Sequence, residues 1–188
     1  MDPVIIVLLV LGGLALIFFL WAIGQRNSFV TMVNTVDEGF ATIDVYLKKR
    51  YDLIPNLLET VKGYMKHEKS TFESIVKARS AAMNASPENK AEAENNLSGT
   101  LKTLFALAEN YPELKANTQF GELQDELSKI ETEISQARKY YNAVVKNYNT
   151  KIQLFPGNIV ANMMKLKKRP YFELDSEVER KNVKISFE

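Results

Sequence analysis

One histidine and no cysteine occur in the 188 residues, so any chemistry has to be built from few parts. His67, in YMKHEKS beside Glu68, is the side chain whose ordinary titration falls near neutral pH, and a metal site there needs further ligands one helical turn away. Tyr64 and Thr71 stand near those places and are poor ligands, so His67 reads as a polar helix residue. Glu122, Glu126, Glu131 and Glu133 could suggest a carboxylate-rich two-metal centre, but that design needs inward Glu with Glu-x-x-His pairs on several helices. They flank an apolar stripe and read as a solvated face. Neither GxGxxG nor a P-loop is present: Gly12-Gly13 lies in an apolar run, and Gly121 has no Gly-Lys-Ser partner. Tyr140, Tyr141 and Tyr148 with Arg138, Lys139 and Lys146 imitate a nucleic-acid stripe, yet Tyr141 and Tyr148 fall on a core seam. No catalytic residue, cofactor or metal is expected. Nucleic acid is also disfavoured, because 24 Lys+Arg against 23 Asp+Glu set up no global field.

One basic cluster keeps a surface role. Lys165, Lys167, Lys168 and Arg169 follow Met163 and Met164, and a short basic amphipathic helix of this kind suits an anionic leaflet. Its plainer reading is a solvated helix end whose cations meet the helix dipole.

The elements that must position these groups begin with Val4 to Ile23, VIIVLLVLGGLALIFFLWAI, a run of 20 residues without a charge. At about 1.5 Å per residue it covers roughly 30 Å, the hydrocarbon thickness of a bilayer. Trp21 followed by Gln25-Arg26 supplies an interfacial end, so the run reads as a transmembrane helix. A cleaved signal peptide would carry a basic leading segment, whereas Asp2 precedes the run; Ala22-Ile23-Gly24 is the one feature resembling a cleavage site. Arg26 beside the span favours a short outside N-terminus and a cytoplasmic domain.

Beyond the anchor the apolar residues fall at three-and-four spacing: Phe29, Val33, Val36, Phe40, Ile43, Leu47, Tyr51, Ile54, Leu58, Val61 and Met65, then Phe72 and Ile75. This predicts a long first helix with a coiled-coil-like seam, running to about Ala82. Pro55 lies inside it and removes a backbone donor, so the helix is either kinked there or broken, with Asp52 capping a new one. Ser86-Pro87 predicts the next start, Pro112 the next stop, and Asn117 or Thr118 caps a third helix through Phe155. A short fourth runs from Ile159 to about Leu166. The tail ends in the alternation Val183, Ile185, Phe187, an exposed strand or a loose end. The expected class is all-α: an N-terminal transmembrane helix, then an antiparallel bundle of three to four long helices. Its divisions are residues 1–26, 27–169 and 170–188. An unbroken first helix would outrun its return partner and leave part of its seam uncovered, which predicts a homo-oligomer packed along it.

The segments RYDLIPNLLETVKGYMKHE (Arg50 to Glu68), Tyr111 to Asn149, FPGNIVA (Phe155 to Ala161) and RPYFE (Arg169 to Glu173) resemble the LemA family of bacterial membrane-anchored proteins. The resemblance implies one N-terminal span, a helical domain usually drawn as cytoplasmic, and no established catalytic activity. One branch of the family is associated with magnetosome membrane formation, which implies shaping or scaffolding of an inner membrane. Among the residues carrying the likeness are Arg50, Asp52, Pro55, Asn56, Arg79, Arg138, Tyr141, Asn142, Asn149, Phe155, Pro156 and Asn158. Polar residues on helices whose cores need none suggest a network of Arg50, Asp52, Asn56, Arg138 and Asn142 where helices meet at Pro55, with Tyr141 close by.

Two functions are compatible with these features. One is a non-enzymatic scaffold that self-associates at the bacterial inner membrane, its partners being the lipid bilayer and its own copies. The other is an accessory subunit that binds a membrane protease or signalling enzyme through the helical surface or the alternating tail.

Overall fold

The computed structural model describes residues 2–172, and the expected alternating strand of the tail lies outside them. The described chain is all-helical: α1 (Pro3–Lys62), α2 (Lys69–Asn84), α3 (Lys90–Ala108), α4 (Pro112–Lys115), α5 (Thr118–Lys151) and α6 (Gly157–Met163).

Pro3 opens α1, where its fixed φ suits the first turn and its missing N–H costs nothing. The helix then continues through Gly24 to Ser28 and passes Pro55 uninterrupted, so the alternative of a break at Pro55 is not realised. Its end is at Lys62, and Gly63 to Glu68 turn the chain into α2. The expected single helix to Ala82 is therefore two helices. Periodicity missed this boundary because Met65, in the turn, is buried just as a helical residue four after Val61 would be. Ile75 on α2 then resumes the same core, so the apolar phase carries across a bend in the backbone.

Later boundaries shift by a few residues. α3 begins at Lys90 instead of Pro87, after a Ser86–Asn89 turn whose Asn89 amide donates to the Ser86 carbonyl at 3.0 Å. Asn117 does cap α5: its Oδ1 accepts from the Phe120 amide at 2.9 Å, satisfying one of the four unpaired donors of a helix start. Near residue 144 the buried stripe of α5 steps from the expected Val144 to Val145, the drift of a 3.6-residue turn against a 3.5-residue repeat.

Two compact units divide the described residues, with α1 and α5 contributing to both. The first comprises residues 2–42 and 137–171. In it α5 runs antiparallel to α1: Gly39 lies against Tyr141, Ser28 against Lys151, and Phe29 against Gly157. A Cβ at Gly39 would meet the Tyr141 Cα at 3.6 Å, so the two backbones approach closely there, and Phe40 meets the Tyr141 ring edge-on with centroids 5.7 Å apart. The second comprises residues 43–136 with Phe172. There α2 and α3 form a helical hairpin, and Ile54, Leu57, Val61, Met65, Ile75, Leu97, Leu104, Leu114 and Ile134 make the core.

Along α1 the seam positions Phe29, Val36, Ile43, Leu47, Ile54 and Val61 are all buried by this same chain. At these positions the seam expected to be left open for packing of copies is covered within the chain, as where Gly157 of α6 meets Phe29. The N-terminal apolar run behaves oppositely: every large apolar side chain from Val4 to Leu20 is exposed.

Candidate functional site

In the second unit the principal polar feature is a cluster around Arg50. Arg50 is 1% exposed and Glu94, on α3, is 0% exposed; they form an ion pair through Arg50 Nη2. The other terminal nitrogen, Nη1, donates to Ser98 Oγ at 2.8 Å and to Glu131 Oε2 of α5 at 2.7 Å. The second oxygen of Glu94 accepts from the Tyr51 hydroxyl. One guanidinium thus ties α1 to α3 and α5, its fork matching acceptors on two helices.

Adjacent residues finish the cluster. Lys90 Nζ donates to the Ala82 carbonyl at 3.1 Å, meeting one of the carbonyls that the end of α2 leaves without an intrahelical donor, and lies 5.6 Å from the centre of the Tyr51 ring. Burial, then the hydrogen bond and charge of Glu94, push the Tyr51 hydroxyl far above its ordinary pKa; Arg50 opposes this and Asp44 adds to it. Tyr51 therefore stays a neutral donor throughout the physiological range.

Pro55 has its explanation here. Without an N–H it cannot donate to the Tyr51 carbonyl four residues back, which would leave that acceptor unmet in the middle of a helix. Arg79 Nε, from α2, donates to the Tyr51 carbonyl at 2.8 Å. The proline frees an acceptor and a neighbouring helix uses it. Tyr51 is consequently held at both ends, through its carbonyl by α2 and through its hydroxyl by α3.

The partners of Arg50, namely Glu94, Ser98 and Glu131, are not among the residues expected to form its network. Arg50 and Tyr51 are buried, but Asp52, Pro55 and Asn56 are exposed, because residues two, five and six positions from Arg50 face away from it on a helix. Arg138 and Tyr141 are buried and Asn142 half-buried, all on the α5 segment of the first unit. Glu131, read from sequence as one of a solvated row, is a partner of Arg50, whereas Glu122, Glu126 and Glu133 are exposed. His67 is exposed, and among the described residues no three His, Asp or Glu side chains gather as metal ligands. Glu94 went unrecognised, although a signal exists: on the stripe Leu97, Leu101, Leu104, Ala108, one further turn back lands on Glu94 and another on Lys90.

Two concavities flank these helices. A cavity of about 240 Å³ is lined by Arg50, Ser98, Lys102, Phe105, Gln124 and Glu131, among others. A larger open groove of about 780 Å³ lies between the last turns of α1 and the length of α2, lined by Leu58, Phe72 and Val76 with Lys62, Lys69, Glu73 and Lys77, of which Lys69 pairs with Glu73.

The first unit carries a second polar device. The extended chain after α6 is strapped onto α5: the Tyr148 hydroxyl donates to the Lys167 carbonyl at 2.9 Å and the Tyr141 hydroxyl to the Pro170 carbonyl at 3.0 Å. Buried Asn149 donates from Nδ2 to the Arg169 carbonyl and accepts at Oδ1 from the Arg169 amide, both at 2.9 Å, pairing that residue as a neighbouring strand would. Burial raises the pKa of both tyrosines, the positive charge of Arg169 opposing it. Of the expected basic patch, Lys165, Lys167 and Lys168 are exposed together with Met163, while Met164 is half-buried and Arg169 Nη2 engages Asp37 at 3.1 Å.

Comparison with known proteins matches residues 39–187 to the LemA family model. Protein LemA of Metamycoplasma hominis is 27% identical over 175 residues, covering 90% of this chain and 78% of that protein. Magnetosome protein MamQ 2 of Paramagnetospirillum magneticum is 23% identical over 194 residues, covering 88% and 71%. Magnetosome protein MamQ of Magnetospirillum gryphiswaldense is 22% identical over 193 residues, with 88% and 71% covered.

Proposed function

The chain belongs to the LemA family, and from that premise we propose that it is a non-enzymatic, single-pass scaffold that self-associates at a bacterial inner membrane and organises it, with the N-terminus outside and the helical units in the cytoplasm. The observation that carries the membrane-anchored part of this reading is α1 itself. A fully exposed apolar run continues without a break into a helix whose seam is covered by the chain's own core. Its most deeply buried charges, Arg50 and Glu94, engage each other and Tyr51, so this pair holds helices together. The relatives named as magnetosome proteins support a membrane setting. Because the α1 seam is covered, association uses surfaces the monomer leaves open. The full-length protein in mild detergent should have the mass of a discrete multi-subunit assembly. A monomer across the concentration range overturns self-association. Since the chain has no cysteine, a single cysteine placed at exposed Lys77 reports sidedness, and labelling by an impermeant reagent outside intact cells overturns the cytoplasmic assignment.

The groove between α1 and α2 favours a second reading, in which the protein is an accessory subunit of a membrane protease or signalling enzyme. Its apolar lining, Leu58, Phe72 and Val76, suits the apolar face of an amphipathic helix. Mutating Phe72 and Val76 to Asp would abolish capture of such a partner and leave a scaffold's own assembly intact.

A further inference from the structure

Four large apolar side chains that the first unit leaves exposed lie within ten residues of one another: Leu154, Phe155, Ile159 and Met163, with Phe155 80% and Met163 78% exposed. They occupy the turn between α5 and α6 and the face of α6 beyond it. Charge there is one-sided. From Ile152 to Phe172 the chain has Lys165, Lys167, Lys168 and Arg169 and no carboxylate, and Asp37 engages Arg169 alone.

The position of this turn along α1 identifies what it faces. The contacts run from Gly39 with Tyr141, through Ser28 with Lys151, to Gln25 and Phe29 with Gly157, so α5 descends α1 toward the anchor. Gln25 and Phe29 lie two and six residues beyond Ile23, about 3 Å and 9 Å of helix rise. A headgroup layer is roughly 5–8 Å deep on each side of the hydrocarbon. The α5–α6 turn is thus level with the lipid headgroups, and Leu154 and Phe155 precede Gly157 at its tip.

The geometry points to a second membrane contact: Leu154, Phe155 and Met163 enter the interfacial layer of the phospholipid bilayer that holds α1, and Lys165, just after α6, is the cation nearest to Met163 along the chain. The inference rests on the reading of Val4 to Ile23 as a span. Apolar side chains at this depth gain burial that water denies them. A single helix is free to rotate and tilt in a membrane; a second contact beside it fixes the orientation of the unit it belongs to.

The full-length protein in single-copy nanodiscs of phosphatidylglycerol and phosphatidylcholine tests this, because Trp21 is the one tryptophan in the chain. In a Trp21→Phe background, Phe155→Trp and, separately, Met163→Trp should show blue-shifted emission and quenching by lipids brominated high on the acyl chain. Tyr140→Trp, beside Gly39 and about 24 Å of helix rise beyond Ile23, should show neither. Aqueous, unquenched emission at 155 and 163 overturns the proposal, as does a blue shift without bromine quenching, which means that protein covers the turn. Trp21 of the otherwise unchanged chain separates the two levels of the argument: quenched by bromolipid, it upholds the anchor whatever positions 155 and 163 report; unquenched, it removes the anchor itself. Circular dichroism of each variant establishes that it is folded.

Discussion

Replacing Glu94 by Ala leaves the Arg50 guanidinium at 1% exposure without its buried partner and strands the Tyr51 hydroxyl in the same operation. Removing one member of a buried ion pair costs about 3–5 kcal/mol, much of it the penalty of the charge left behind. Taking about 4 kcal/mol, and about 3 °C per kcal/mol for a chain of this size, Tm falls by roughly 12 °C. Glu131 provides the internal comparison, since it bonds the same arginine from a side chain that is 46% exposed. Water replaces it readily, so Glu131→Ala costs about 1 kcal/mol, or roughly 3 °C. The triple variant Arg50→Met, Glu94→Leu, Tyr51→Phe removes all three polar groups together and should recover at least half of the loss, because no unpaired group remains buried. Far-UV circular dichroism of the full-length protein in detergent, followed through thermal unfolding, measures all three. The reasoning is refuted if Glu94→Ala shifts Tm no more than Glu131→Ala does, or if the triple variant is as unstable as the single one.

Pro55 and Arg79 should be coupled through the carbonyl of Tyr51. Arg79→Ala costs about 1–2 kcal/mol in the native chain and markedly less in a Pro55→Ala background, where the new amide meets the same acceptor; an additive double-mutant cycle in urea rejects the link. Asn149→Ala removes both hydrogen bonds to the backbone of Arg169, so tryptic cleavage after Lys167, Lys168 and Arg169 should accelerate at least about fivefold, corresponding to about 1 kcal/mol of lost local protection, and an unchanged rate shows that the tyrosines hold the strap unaided. Tyr51 predicts alkaline sensitivity. Its folded pKa lies above the ordinary tyrosine value of about 10, so the unfolded chain ionises first; its contribution is complete below pH 10 and declines as pH rises beyond it. Tm should fall more steeply above pH 10 in the native chain than in Tyr51→Phe, and parallel slopes contradict the assignment.

Much of this was legible in local pattern. The 20-residue uncharged run, the three-and-four stripe from Phe29 to Val61 and the Asn117 cap each express a rule acting within a few turns of chain, and each reappears in α1 and α5. The end of α1 at Lys62 was not legible, because a buried Met65 in the following turn preserves the apolar phase while the backbone changes direction. Nor was the pairing of Arg50. A sequence places Asp52 and Asn56 near it along the chain, but helical geometry turns those away and brings Glu94 and Glu131 from 44 and 81 residues later. The same holds for Pro55, whose local meaning is a lost hydrogen bond and whose actual role depends on Arg79 arriving from α2. Periodicity therefore determined which faces are apolar and that the fold is helical. Only the tertiary structure decided which buried charges meet, because the penalty for an unpaired charge is settled by whatever lies across the helix interface, however distant in the chain.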